Sequence, residues 1–416
     1  MSMTKKILIG IVLGLIVGLT LHIYFPATFD SVNTYVFSPV ADLFLKAIKM
    51  IVVPLVFFSI AIGAAGMADP KKLGRIGGKT ILLYLITTAV AISLALILAN
   101  VIGPGTHAGN IPLPEEAPDA AKDGAPSILE TFVNIVPENP IAALAEGQML
   151  QIIFFALVFG FGMAFLGSKV DRVKELVEQA NEIMMWMIHQ LMKIVPFAAF
   201  ALMARAIGEA GPNLVGSMAL YMITLVSVLL LHMTITYGLF LKFIAKLSPI
   251  KFYKAMFPAM EVAFTTSSSA ATLPVTMDRV EKGLNVPKSI SSFVLPLGAT
   301  VNMDGTAIMQ GVAAIFIAQV YGIDLTITQQ LLIVLTATLA SIGTAAVPSA
   351  GIVMLTIVFP VVGLPIEGLA IVLGVDRLLD MARTATNITG DAMVATCIAK
   401  TEGADINIQE EASKTA

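Results

Sequence analysis

The chain holds one cysteine, Cys397, in 416 residues. That excludes an intrachain disulfide framework and a cysteine-based metal cluster, and leaves Cys397 as a packing residue. Charge is equally scarce. Only 13% of residues are charged, about half the share of an average soluble domain. The net charge of −3 implies neither a nucleic-acid partner nor a strongly charged surface partner. Histidine is limited to His22, His107, His189 and His232, which are scattered and neighbour no motif. No nucleophile with an adjacent base is in view, so the chain is not read as an enzyme.

What the chain has in abundance is apolar sequence. Hydrophobic residues make up 57% and the mean hydropathy is +0.89. Many runs approach the ~20 residues that cross a bilayer, the signature of a polytopic helical membrane protein. Lys5 and Lys6 precede an apolar run to about Phe25 that is long for a signal peptide and lacks a small-x-small cleavage site, so it reads as an uncleaved first helix. A second run, about 36–67, carries Asp42, Lys46, Lys49 and Pro54 and exceeds a perpendicular span, so a tilted or kinked helix is expected. A third spans about 80–103; the commoner role for its Tyr84, Thr87 and Thr88 hydroxyls is bonding back to helix carbonyls. Residues 104–128 are Pro/Gly-rich and acidic, an aqueous loop. The fourth region, 129–166, is broken by Pro137, Pro140 and Gly147; the fifth continues to Ala206, and the sixth covers about 214–243. Basic clusters at 5–6, 71–79, 169–174 and 242–254 alternate with Lys-poor loops, which fits six spans with a cytoplasmic N-terminus.

After Lys254 the pattern changes. Segments 261–277 and 336–355 have Ser/Thr/Ala/Gly centres beside Pro274 and Pro348, with apolar arms too short to span. Such segments suit re-entrant hairpins whose tips line a cavity. Between them an apolar run breaks at Gly298–Gly305 around Asn302 and Asp304 and then resumes, the form of a discontinuous helix. Two hairpins from opposite faces with broken helices point to an inverted repeat with a midplane site. The last apolar segment carries VDRLLDMARTATNITGD. There Asp376, Asp380, Arg383, Asn387 and Asp391 keep helical period on one stripe, with Thr384 beside it. A charge at mid-membrane costs on the order of 3 kcal/mol, so the stripe is expected to face protein or a polar cavity. In the charge count of the site, Asp376 and Arg377 cancel if both are near.

TTSSSAATLP, LPLGATVNMDGTA, LASIGTAAVPSAG and LLDMARTATNITGD resemble four signature motifs of the glutamate/aspartate transporter family, the dicarboxylate/amino acid:cation symporters. The resemblance covers the chain outside its two tails. It implies an all-α polytopic membrane protein of eight transmembrane helices plus two re-entrant helical hairpins, arranged as inverted repeats. It further implies a homotrimer in the cell membrane with both termini cytoplasmic, working as an elevator. Scaffold helices 1–2 (residues 1–70) and 4–5 (129–208) would hold a moving unit of helix 3 (76–103), helix 6 (213–245) and a core at 250–400 comprising hairpin 1, helix 7, hairpin 2 and helix 8. Residues 104–128 would be extracellular and 401–416 a cytoplasmic tail.

The same resemblance implies uptake of L-aspartate or L-glutamate with sodium ions, three per substrate by charge balance. Proton coupling, C4-dicarboxylates and neutral amino acids remain rival readings. Asp380 would take the substrate amino group and Arg383 the side-chain carboxylate, a bidentate match that lysine cannot copy. Ser267, Ser269, Met303, Thr306, Val347, Gly351, Thr384 and Asn387 would complete the substrate pocket. In similar proteins Gly298, Asn302, Asn387 and Asp391 surround one sodium ion; Thr300, Ser341, Ile342 and Thr344 a second; Tyr84, Thr87, Thr88, Asn302 and Asp304 a third. Oxygen donors are what a hard cation wants. The chain departs from relatives at several positions, among them Ala346 and Ser349 in the second hairpin, where relatives often have glycine or another residue. Ser267 stands where archaeal members place an arginine, and Met381 where animal members place one. Arg377, one turn before Met381, is expected either to substitute in part or to snorkel to an interface. Gln310 replaces the glutamate of potassium-countertransporting members, so potassium coupling is not implied.

Overall fold

The computed structural model describes residues 3–67, 75–108, 133–341 and 350–406. Among these the regular structure is entirely helical. The helices are α1 (Met3–Tyr24), α2 (Pro26–Val32), α3 (Ser38–Met67), α4 (Arg75–Ile102), α5 (Pro140–Glu146), α6 (Met149–Leu166), α7 (Asp171–Ala210) and α8 (Pro212–Leu231). After α8 the chain continues helically, partly as π-helix, to Ala245. Then follow α9 (Pro249–Thr266), α10 (Ser269–Asp278), α11 (Lys288–Val301), α12 (Asp304–Val320), α13 (Ile327–Ser341), α14 (Ala350–Val361) and α15 (Leu369–Thr401). Residues 109–128 of the expected loop, residues 342–349, where the tip of the second hairpin is expected, and the last ten residues lie outside the described residues.

Among the described residues, five helical stretches are long and apolar enough to cross a membrane: Lys5–Tyr24, Arg75–Ile102, Leu150–Ile188, Pro212–Ala245 and Lys288–Val320. The length of α15 would suffice as well, but Asp376, Arg377, Asp380, Arg383 and Asp391 crowd its centre. The fourth region breaks where its sequence predicts. The side chain of Asn139 caps α5 by accepting from the amides of Ile141 and Ala142, Pro140 occupies the first turn, and Gly147 ends it with φ 70°.

The helices pack as two groups. In one, α1, α3, α6 and α7 lie against each other; in the other, α4, α8 and α9–α14 gather around α15 and α12. Glycines set the first group's spacing. Gly10, Gly14 and Gly18 recur every fourth residue on α1, and a Cβ at each would stand 2.4, 2.5 and 2.7 Å from the backbone oxygens of Pro196, Phe200 and Ala204 on α7. In lipid, where no hydrophobic effect drives helices together, such close backbone approach is what holds them. Gly14→Leu is therefore expected to overpack this seam at a cost of about 1–3 kcal/mol. The cost should be read as a lower melting temperature in detergent; an unchanged melting temperature would show that the seam is not tight. In the second group, Glu402 just beyond α15 accepts from Arg75 at 2.5 Å and Lys79 at 2.8 Å, tying the two chain ends of that group together. These two cations hold the Glu402 carboxyl below its ordinary range.

Candidate transport site

The site is built where α15 passes the break between α11 and α12 and the turn between α9 and α10. The stripe predicted on α15 is buried along its length: Asp376, Asp380, Arg383, Thr384, Asn387 and Asp391 all lie inside. Arg383 is fully enclosed, at 0% exposure. A buried guanidinium needs counter-charge, and two carboxylates of its own helix supply it. Arg383 Nη1 stands 2.6 Å from Asp376 Oδ1, and Nη2 2.8 Å from Asp380 Oδ1. Asp376 is thus the partner of Arg383. Arg377 instead approaches Asp380 Oδ2 at 3.4 Å, and its side chain is only 14% exposed. It does not snorkel away but belongs to the same cluster. Asp376, Arg377, Asp380 and Arg383 sum to zero charge.

The α11–α12 break comes at Asn302 and Met303 because the sequence there gives the backbone other partners. The amide of Gly305 donates to Asn387 Oδ1 at 2.7 Å, docking the start of α12 onto α15. Asn387 Nδ2 reaches Met303 Sδ at 3.2 Å and Thr306 Oγ1 at 3.5 Å. Thr384 turns its hydroxyl back to Asp380 O. Gly351, early in α14, lies beside Thr306 and Arg383; a Cβ there would be 3.1 Å from Thr306 Cγ2 and 3.5 Å from Arg383 Cζ. Met303, Thr306, Gly351, Asp380, Arg383, Thr384 and Asn387 are therefore brought together. Ser267 and Ser269 are buried at the turn between α9 and α10, two helices that pack on α15. Ser267 takes a left-handed backbone, φ 51°, and its buried hydroxyl has no hydrogen-bond partner among the described residues. Strain of this kind costs about 1–3 kcal/mol and concentrates at ligand clamps. Val347 lies outside the described residues.

One turn deeper sits an oxygen-rich cluster. Asp391 Oδ1 accepts from Asn302 Nδ2 at 2.9 Å, and Thr87 reaches Asn302 Oδ1 at 3.5 Å. Gly298 must be a glycine, because a Cβ would meet Asp391 Oδ1 at 2.4 Å and the Tyr84 hydroxyl at 2.5 Å. Asp304 accepts from Thr88 Oγ1 at 2.6 Å on one oxygen and from the Tyr237 hydroxyl at 2.8 Å on the other. Tyr84, Thr87, Thr88, Gly298, Asn302, Asp304 and Asp391 thus converge. Among the described residues, no lysine or arginine pairs with Asp304 or Asp391. Two buried carboxylates amid hydroxyl and amide oxygens make a donor set that fits small hard cations. The second expected ion site is Thr300, Ser341, Ile342 and Thr344, and only its first two members lie among the described residues. Thr300 is exposed and its hydroxyl returns to Leu297 O; Ser341 is buried and donates to Thr338 O; Ile342 and Thr344 lie outside the described residues.

Sequence reasoning missed His232 and Tyr237. His232 Nε2 stands 3.2 Å from Asp304 Oδ2, so one histidine does neighbour a motif in space. The two residues belong to a π-helical stretch, His232–Tyr237. Its i→i+5 bonding places residue i+5 over residue i, which an α-helix would not do. The available signal was cost: a histidine inside a long apolar run is itself a functional flag.

A bundle of apolar helices whose one charged stripe is buried against a broken helix defines a membrane carrier of charged solutes. The comparisons agree. A profile of the Sodium:dicarboxylate symporter family matches residues 3–401. The chain is 38% identical over 406 residues to the proton/sodium-glutamate symport protein of Geobacillus stearothermophilus, covering 96% of this chain and 94% of that one. It is 37% identical to the proton/glutamate-aspartate symporter of Escherichia coli K12, over 96% and 93%. It is 33% identical to a C4-dicarboxylate transport protein of Laribacter hongkongensis, over 96% and 90%. The chain belongs to the sodium:dicarboxylate symporter family. It is a multi-pass membrane transporter, not an enzyme.

Proposed function

We propose that this chain takes up L-aspartate or L-glutamate across the cell membrane, coupled to sodium ions. The observation that carries the reading is the pair of adjoining buried sites on α15. One holds a carboxylate and a guanidinium three residues apart, Asp380 and Arg383. The other gathers oxygens around Asp304 and Asp391, with which no arginine or lysine pairs among the described residues. An acidic amino acid offers an ammonium to Asp380 and a carboxylate to Arg383. Sodium ions are then cargo for the oxygen cluster.

The helix packing supports an elevator. The group around α15 and α12 carries every site residue, while α1, α3, α6 and α7 carry none, which suits a moving unit held by a scaffold. The short α9–α10 and α13–α14 pairs would be the re-entrant hairpins of eight-span architecture, with both termini cytoplasmic and three chains per assembly. The alternative of a C4-dicarboxylate substrate has one observation in its favour, the second cation, Arg377, within reach of Asp380.

The deciding experiment is uptake of labelled aspartate into proteoliposomes, with sodium and pH gradients imposed separately. Accumulation that follows the inward sodium gradient at constant pH is expected. Accumulation driven by the pH gradient alone, without sodium, would transfer the proposal to proton coupling.

A further inference from the structure

Asp380 faces two cations at once. Its Oδ1 pairs with Arg383 at 2.8 Å and its Oδ2 with Arg377 at 3.4 Å. The three residues stand three apart on α15, so both arginines reach the same carboxylate from opposite turns of one helix face. Their side chains are 0% exposed for Arg383, 9% for Asp380 and 14% for Arg377, so solvent offers little screening. The fourth member, Asp376, occupies Nη1 of Arg383. Arg383 Nε is buried and has no hydrogen-bond partner among the described residues. A carboxylate that grips Arg383 in bidentate fashion through Nε and Nη2 competes with Asp380 for the N–H groups and charge of Nη2.

The consequence depends on the substrate. An amino diacid brings its own ammonium to Asp380 and so makes good the share of Arg383 that its carboxylate claims. A diacid without an amino group brings nothing, and a buried carboxylate stripped of its partner is strongly penalised. In this chain Asp380 still has Arg377.

We propose that Arg377 is a specificity-determining residue: it stays on Asp380 as a reserve cation and so lowers the penalty for substrates with two carboxylates and no ammonium. The ligand class it admits is the short aliphatic dicarboxylate, beside the amino diacid. This rests on the reading above, that Asp380 receives the ammonium and Arg383 the carboxylate. Arg377 acts through Asp380 and is a positioning residue rather than a ligand of the amino diacid itself.

The test uses full-length protein in lipid nanodiscs. Labelled aspartate is bound and displaced by unlabelled aspartate or by succinate, in wild type and in Arg377→Met, Arg377→Gln and Arg377→Lys. Removing the charge should raise the ratio of succinate to aspartate inhibition constants at least about tenfold, equivalent to ~1.4 kcal/mol. Arg377→Lys, which keeps a cation on the same turn, should restore the ratio to near its wild-type value. A merely structural role would weaken both ligands by the same factor. A ratio that stays level in both uncharged variants, or equal loss of both ligands in them, overturns the proposal while leaving the aspartate reading standing. A wild type that binds no labelled aspartate removes that reading and this inference together.

Discussion

Arg383→Cys is expected to abolish binding of aspartate and glutamate while leaving room for small neutral amino acids. The reason lies in what the substitution leaves behind. Arg383 is fully buried between Asp376 and Asp380, and its guanidinium is the one cation those carboxylates share. Without it, Asp376 loses its partner and the acidic side chain of the substrate finds none. Leaving a buried carboxylate unpaired costs about 3–5 kcal/mol, so affinity for acidic substrates should fall by roughly a hundredfold or more. A neutral side chain makes no such demand, and Arg377 still holds Asp380 for the amino group. Isothermal titration with aspartate and with serine or cysteine separates the cases. Aspartate binding left within threefold of wild type would remove Arg383 from the substrate site.

Much of this site could be read before any coordinates. The α15 stripe was legible because charges in an apolar helix are costly and must share one buried face, so period alone groups Asp376, Asp380, Arg383, Asn387 and Asp391. The break at Asn302 was legible because GATVNMDGT interrupts two apolar runs with residues that favour non-helical backbone. Pairing within the stripe was not legible. Asp376, Asp380 and Arg377 all lie within reach of one another by helical spacing, and only the direction of the Arg383 side chain decides that it takes Asp376 and leaves Arg377 to Asp380. His232 was hidden for a different reason. Residues five apart diverge on an α-helix, and nothing in HMTITY announces the π-turns that stack His232 and Tyr237 onto Asp304.

The second large effect is expected from the cations. Asp376, Arg377, Asp380 and Arg383 neutralise one another, which leaves Asp304 and Asp391 as two negative charges in the buried cluster. A bound aspartate or glutamate adds one more negative charge. Each net charge left unbalanced at the midplane costs on the order of 3 kcal/mol or more, so about three monovalent cations should accompany each substrate. Protons on the carboxylates would also balance the charge, yet they would leave the oxygens of Tyr84, Thr87 and Asn302 without an ion to hold. Substrate binding is therefore expected to rise with more than the first power of sodium concentration. Asp391→Asn removes one of the two charges and replaces one carboxylate oxygen with an amide nitrogen, which cannot ligate a cation. It should raise the sodium concentration needed for half-maximal aspartate binding by roughly tenfold or more, on the scale of one lost charge interaction of ~1.4 kcal/mol, and should reduce the steepness of the curve. Titrating sodium at fixed labelled aspartate, in wild type and variant, gives both quantities. First-order dependence in the wild type, or tight aspartate binding in sodium-free buffer together with uptake driven by an inward proton gradient, would assign the Asp304–Asp391 cluster to protons.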